Sequence, residues 1–183
     1  MSCESIPYRL IRSNRKSVAI QITPDGQVTV RCPLGMKHEV IQKFVMSKAD
    51  WIRNHLPPQD TPVLPPFTSE EIHSMADAAL KVIPQRVAHF APLVGVDYGR
   101  VTIRNQRSKW GSCSSKGNLN FNCLLMLTPP EVLDYIVVHE LCHRLELNHS
   151  PRFWEQVERV LPDYKAREQW LKNNGARLIC RLK

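Results

Sequence analysis

Along residues 8–33 apolar and polar side chains alternate. Val18, Ile20 and Ile22 are separated by Ala19 and Gln21, and Val28 and Val30 by Thr29, the period of two expected where one face of a sheet is buried. Three strands are predicted, YRLIR, SVAIQIT and QVTVRC, joined by turns at Ser13-Asn14-Arg15-Lys16 and Pro24-Asp25-Gly26. Asp-Gly between two alternating runs is a strong hairpin signal, and the short turns predict a three-stranded meander. From residue 37 to 56 the period lengthens. Val40, Ile41, Phe44, Val45, Ala49, Trp51 and Ile52 recur at intervals of three and four, predicting one helix of about five turns.

Pro57, Pro58, Pro62, Pro65 and Pro66 follow, and so many rings without N–H donors exclude a helix and predict an extended linker. A second helix is expected from Thr68 or Ser69 towards Ala91, with Ser69 as cap, Glu70 and Glu71 in the first turn and Pro84 as a kink. VTIRNQ reads as a strand, and KWGSCSSKGNLNFN as a turn leading into another. Pro129-Pro130 opens a helix expected over residues 130–146, Ser150-Pro151 a further one and Pro162-Asp163 the last. The pattern is that of an α+β chain with an N-terminal lobe at 1–58, a Pro-rich linker at 59–67 and a larger domain at 68–183.

Composition narrows the class. A chain of 183 residues with 43% hydrophobic and 23% charged residues can bury a core unaided and is unlike a disordered one. Cysteines at 3, 32, 113, 123, 142 and 180 form no C-x-x-C pair, so they read as reduced, mostly buried thiols. The start, MSCESIPYRL, lacks the features of a secretory signal, and no window approaches 18 consecutive apolar residues; a cytoplasmic location is the expectation. Lys plus Arg exceed Asp plus Glu by 25 − 17 = 8, which admits a nucleic-acid partner as well as a merely basic surface.

The chemistry concentrates in His139-Glu140-Leu141-Cys142-His143, an H-E-x-x-H sequence inside a helical stretch. At 100° per residue the two histidines project about 40° apart on one face, so both imidazoles can reach one ion, while Glu140 falls about 60° from His143, beside the ion. Neutral imidazole suits zinc, and a catalytic site needs a third protein ligand and an open position. His149, where the helix must end, supplies that ligand at the spacing of the metzincin zinc proteases. Metzincins carry Gly where this chain has Glu146, and if the turn cannot form, Glu155 or Glu158 is the alternative. Cys142 points towards packing and reads as a small core residue, as Trp110 and Trp154 read as core anchors. Arg104, Arg107 and Lys109 precede the helix and are candidate substrate-binding cations, for a carboxylate or a polyanion.

Several blocks together carry a family resemblance. They are Arg12-Ser13-Asn14-Arg15-Lys16, Pro24-Asp25-Gly26, Lys48-Ala49-Asp50-Trp51-Ile52, Arg107-Ser108-Lys109-Trp110-Gly111-Ser112-Cys113, the HELCH helix, Asn148-His149-Ser150 with Phe153-Trp154, and Pro162-Asp163-Tyr164. Over nearly its whole length the chain resembles the YgjP-like metallopeptidases, relatives of the SprT-like zinc proteases. Lys109 stands where that family carries Arg, and Cys142 where it carries Ala. The resemblance implies a zincin-like catalytic domain at 68–183, with the active-site helix beside a small sheet. It also implies one Zn2+ per chain on His139, His143 and His149, and Glu140 as the catalytic residue. The expected activity is a zinc metallohydrolase, a metallopeptidase in which Glu140 assists attack by zinc-bound water on a peptide or protein. Two alternatives stand beside it. One is a metal-dependent pyrophosphatase of a nucleoside triphosphate such as UTP, with Arg104, Arg107 and Lys109 on the phosphates; the other is a DNA-associated SprT-like protease or binding module. No membrane partner is expected.

Overall fold

Val28, Val30 and Cys32 are buried, at 4%, 0% and 0% exposure, and the strand that carries them organises the first of two compact units. In the computed structural model, which describes residues 6–23, 26–56 and 64–182, the chain divides into Met1–Leu64 and Pro65–Lys183. The first unit has strands β1 (Arg9–Ser13), β2 (Ala19–Ile22) and β3 (Val28–Pro33). The β2–β3 hairpin forms as expected, antiparallel with Ile20 opposite Val30. Gly26, at φ 83°, donates its N–H to the Thr23 carbonyl at 2.8 Å, as a hairpin turn with a left-handed residue requires; Pro24 and Asp25 lie outside the described residues.

The meander does not form. The sheet order is β1-β3-β2, and β1 runs parallel to β3 with Leu10 opposite Val30. Residues 14–18 therefore cross over instead of turning back. Burial goes with the order: the most buried strand takes the centre, and Arg9, Arg12, Ser13 and Gln21 stay exposed on the edges, where charged residues also discourage further pairing. Arg12 Nη1 fixes the parallel alignment by donating to the carbonyls of Leu34 and Met36 just beyond β3.

The single helix expected over residues 37–56 is two, α1 (His38–Ser47) and α2 (Ala49–His55), broken at Lys48. The Ser47 hydroxyl donates to the Phe44 carbonyl at 2.8 Å, competing with the backbone bond that would continue the helix. Ile41, Val45 and Ile52 still fall on one side and close the core over β3.

In the second unit α3 (Ser69–Val94) begins one residue earlier in its capping than expected. Thr68, not Ser69, is the cap; its hydroxyl accepts from Glu71 N–H and the Glu71 carboxylate accepts from Thr68 N–H, a complete capping box. Gly95, at φ 85°, ends the helix. Strands β4 (Val101–Arg104), β5 (Gly111–Cys113) and β6 (Leu119–Asn122) pair in the order β4-β6-β5, so the stretch expected as a turn contains an edge strand. A 3₁₀ turn over Cys123–Leu127 leads to α4 (Pro130–Cys142), α5 (Pro151–Val160) and α6 (Tyr164–Ile179).

Helix α4 lies at the centre, packed against α3, α5, α6 and β5. Val132, Leu133, Ile136, Val137, Val138 and Leu141 are all buried, each worth about 1.5–3 kcal/mol of burial. A bidentate pair from Arg86 to Asp134, at 2.7 and 2.8 Å, locks α3 to α4. Residues 59–63 of the expected linker lie outside the described residues. Pro65 and Phe67 belong to the second unit: Phe67 N–H donates to the Arg181 carbonyl, and Arg181 stacks on the Phe67 ring and donates to the Pro65 carbonyl. The described residues thus form a mixed α+β structure with two small sheets and six α-helices, none long and apolar enough to cross a membrane.

Candidate metal centre

Pro130 at the first position of α4 gives up no hydrogen bond, because the first N–H groups of a helix have no internal partner. Twelve residues on, the helix ends at Cys142, earlier than residue 146, with His143 as its cap. Leu145 and Glu146 both donate to the Cys142 carbonyl, and this tightened turn brings the Glu146 carbonyl to 3.0 Å from His143 Nδ1. A carbonyl only accepts, so Nδ1 carries the proton and Nε2 presents a bare lone pair. The chain then returns through His149 into α5, whose cap Ser150 accepts from Phe153 N–H.

The nitrogens of His139, His143 and His149 all lie within 4.8 Å of one another. His149 Nε2 stands 3.0 Å from His139 Nε2, a hydrogen bond when one ring carries its proton on that nitrogen and close to ligand spacing when neither does. A tetrahedral ion with bonds of about 2.0–2.1 Å needs neighbouring nitrogens roughly 3.4 Å apart, within the span observed. Burial, with the charges of His143 and His149, pushes His139 down to about 3; burial also lowers His143. Both are neutral at ordinary pH, the state in which imidazole ligates. His139 Nδ1 is buried without a hydrogen-bond partner among the described residues. By donor chemistry and spacing the three residues fit a metal ion.

Glu140 is 5% exposed. Burial raises its carboxyl to about 8, against the opposing pull of the Lys109 charge and the Cys113 backbone N–H. Gly111 faces it closely: a Cβ there would lie 2.6 Å from Glu140 Oε1 and 2.7 Å from Cγ. The carboxyl thus occupies the space a side chain on β5 would take.

The sequence model of the YgjP-like metallopeptidase domain matches residues 16–77 and 68–174. The chain belongs to this family. A YgjP-like chain is thereby a metallopeptidase by family, and the family implies a catalytic metal that this His triad could hold. It is also similar to two solved structures. One is the metallopeptidase zymogen of Pyrococcus abyssi abylysin, with 24% identity over 50% of this chain and 94% of that one and a TM-score of 0.46. The other is the metallopeptidase zymogen of Methanocaldococcus jannaschii jannalysin, with 22% identity over 51% and 94% and a TM-score of 0.43. No curated protein matches significantly.

Within the YgjP-like domain the candidate cations separate. Lys109 is felt at Glu140, whereas Arg104 ends β4, which β6 separates from β5, the strand against α4. Arg107 is exposed in the connecting loop. Glu155 and Glu158 are exposed on α5 and stand apart from the triad. Cys142 is fully buried in the core, its thiol pushed up to about 12 by burial, and Trp110 and Trp154 pack against that core.

Two residues that sequence reasoning passed over shape the site. Gly111 has only the weak signal of a glycine in a short strand, where close approach of another group is one reading. Asn122 has no signal at all. Fully buried, it donates through Nδ2 to the carbonyls of Gln106 and Lys109, at 2.6 and 2.9 Å. Its Oδ1 accepts from Leu124 N–H, and its own N–H donates to the Trp110 carbonyl. One side chain thus holds the loop that delivers Lys109 and Gly111 to Glu140.

Proposed function

We propose that the chain is a zinc-dependent metallopeptidase with a zincin-like active site, in which His139, His143 and His149 hold the ion and Glu140 is the general base. The observation that carries the reading is the convergence of three imidazoles beside a buried carboxyl. An all-imidazole donor set suits zinc, which when bound acts as a Lewis acid on the scissile carbonyl and on water. Glu140, held by the Cys113 N–H and faced by Lys109, takes the proton from the attacking water and returns it to the leaving amine.

The substrate backbone has a place to pair. On either side of β5, the Trp110 carbonyl and the Ser114 N–H bond to residues of the β6 side, and the alternating geometry turns Gly111 and Cys113 the other way. The Cys113 N–H is engaged by Glu140, which leaves Gly111, beside the carboxyl, as the point where an extended polypeptide would meet that edge. The nucleotide and DNA-associated alternatives lack comparable support, since of Arg104, Arg107 and Lys109 only the last is felt at the carboxyl.

The test is an assay of zinc-loaded protein against unfolded polypeptides and a panel of nucleoside triphosphates. Cleavage of polypeptide that stops on chelation and returns with zinc is expected, with nucleotides left intact. Turnover of a nucleotide with no peptide cleavage would overturn the reading. His149→Ala should weaken zinc binding while Glu155→Ala and Glu158→Ala leave it unchanged; the reverse pattern would reassign the third ligand.

A further inference from the structure

Metal-binding histidines are ordinarily oriented by a hydrogen bond from the second ring nitrogen to a carboxylate, a carbonyl or water. Here only His143 has that arrangement among the described residues, through the Glu146 carbonyl. His139 Nδ1 is buried with no partner, and the described hydrogen bond of His149 is the one between the two Nε2 atoms. Without some other restraint each of these two rings could turn about its χ2 torsion, which is broad for an imidazole.

The restraint present is aromatic. The Phe153 ring, fully buried, has its centroid 4.9 Å from His139, 4.6 Å from His143 and 4.8 Å from His149, so one side chain touches all three imidazoles. Trp154 adds a second wall. It meets His139 edge-on at 5.9 Å and lies nearly parallel to His149, at 5.8 Å and 27°. Tyr135 presents its ring to His139 at 5.8 Å and 72°, so His139 has aromatic neighbours on three sides. The assembly is anchored at both ends. Phe153 sits in the first turn of α5, pinned by the Ser150 cap, and Trp154 stacks on Tyr164 at the start of α6, at 5.4 Å and 16°.

We infer that Phe153 and Trp154 are positioning residues, an aromatic seat that fixes the ring orientations of His139 and His149 and so sets the affinity of the site for its ion. The inference rests on the reading of the triad as a metal site and goes beyond it, since neither residue can itself ligate. An edge-to-face or stacked aromatic contact is favourable beyond the burial of its area, enough to bias a torsion whose alternatives would otherwise be populated. The seat also shields the buried side of the rings from water, while His149 is exposed.

The experiment measures zinc affinity by competition with a chelator, and the visible spectrum of the cobalt(II)-substituted protein, in wild type, Phe153→Leu, Trp154→Leu and Trp154→Phe. Phe153→Leu and Trp154→Leu should each bind zinc about 10–100-fold more weakly, the usual effect of removing what orients a ligand, and should shift or broaden the cobalt bands. Trp154→Phe should recover most of the affinity, because it restores a ring beside His149. Trp154 is only half-buried, so its variants keep the test decisive should Phe153→Leu fail to fold. Wild-type affinity and an unchanged cobalt spectrum in the folded Leu variants would overturn the inference and leave the metal reading standing. A wild-type protein that takes up no zinc would overturn both.

Discussion

Glu140 and His139 are neighbours whose burial favours the uncharged form of each, and burial acts on their acidities in opposite directions. In the metal-free protein His139 stays neutral down to about pH 3, whereas an unfolded histidine takes up its proton near 6.5. Its contribution to stability is complete above 6.5 and is lost as pH falls towards 3. Glu140 stays protonated up to about pH 8 in the folded chain but ionises near 4.5 when unfolded, so its contribution is complete below 4.5 and is lost as pH rises towards 8. Denaturant melts of the metal-free protein should show a plateau between about 4.5 and 6.5 and a decline on either side. Glu140→Gln should remove the alkaline decline; a variant losing as much stability as wild type between pH 6.5 and 8 would show that Glu140 is not its source.

Gly111 gives a second prediction at this scale. A methyl group 2.6 Å from Glu140 Oε1 must displace the carboxyl or the strand, and overpacking of this kind costs about 1–3 kcal/mol. Gly111→Ala should therefore keep its zinc and lose most of its hydrolysis. Wild-type turnover in that variant would mean that the carboxyl moves without consequence. The two candidate ligand positions on one helical face were legible in the sequence from spacing alone, because a helix fixes where residues four apart project. The place of Glu140 against Gly111 was not, because it depends on how β5 packs against α4, a contact between segments distant in sequence.

Among the elements, periodicity located most strands and helices, and failed at pairing order and at breaks. Both sheets place their third strand in the centre, β1-β3-β2 and β4-β6-β5, with the first strand parallel to it. In each case the central strand is the most buried of the three. Short turns suggested a meander, and local turn chemistry cannot reveal which strand the core will claim. The helix break at Lys48 was hidden for a similar reason: its cause is one hydroxyl bond from Ser47 to Phe44, with the apolar pattern continuing through it. Asn122 is the element-scale residue with the largest predicted effect. Asn122→Ala would leave the carbonyls of Gln106 and Lys109 and the Leu124 N–H without this partner, at about 1–3 kcal/mol for each group left buried and unsatisfied. A loss of stability accompanied by a raised KM for polypeptide is expected, measured by denaturant melts and steady-state kinetics. A fully stable variant would show that water replaces the amide.

On the scale of the whole molecule, α4 runs through the main core and is held by α3, α5, α6 and β5, so the candidate ligands ride on a rigid scaffold while the third, His149, arrives on the connection to α5. Precise geometry at such sites depends on support of this kind. The excess of 25 basic over 17 acidic residues describes the surface and does not by itself choose a substrate. The claim that joins these scales is that three histidines hold zinc while Glu140 moves the proton. It is tested most directly by the rate of polypeptide cleavage of Glu140→Gln measured at full zinc occupancy. The amide keeps the size of the side chain and cannot accept a proton, so unchanged zinc content is expected with a rate lower by at least about 10²–10⁴-fold, the usual contribution of general acid–base catalysis. Wild-type turnover by that variant, or a variant that no longer holds zinc, would contradict it.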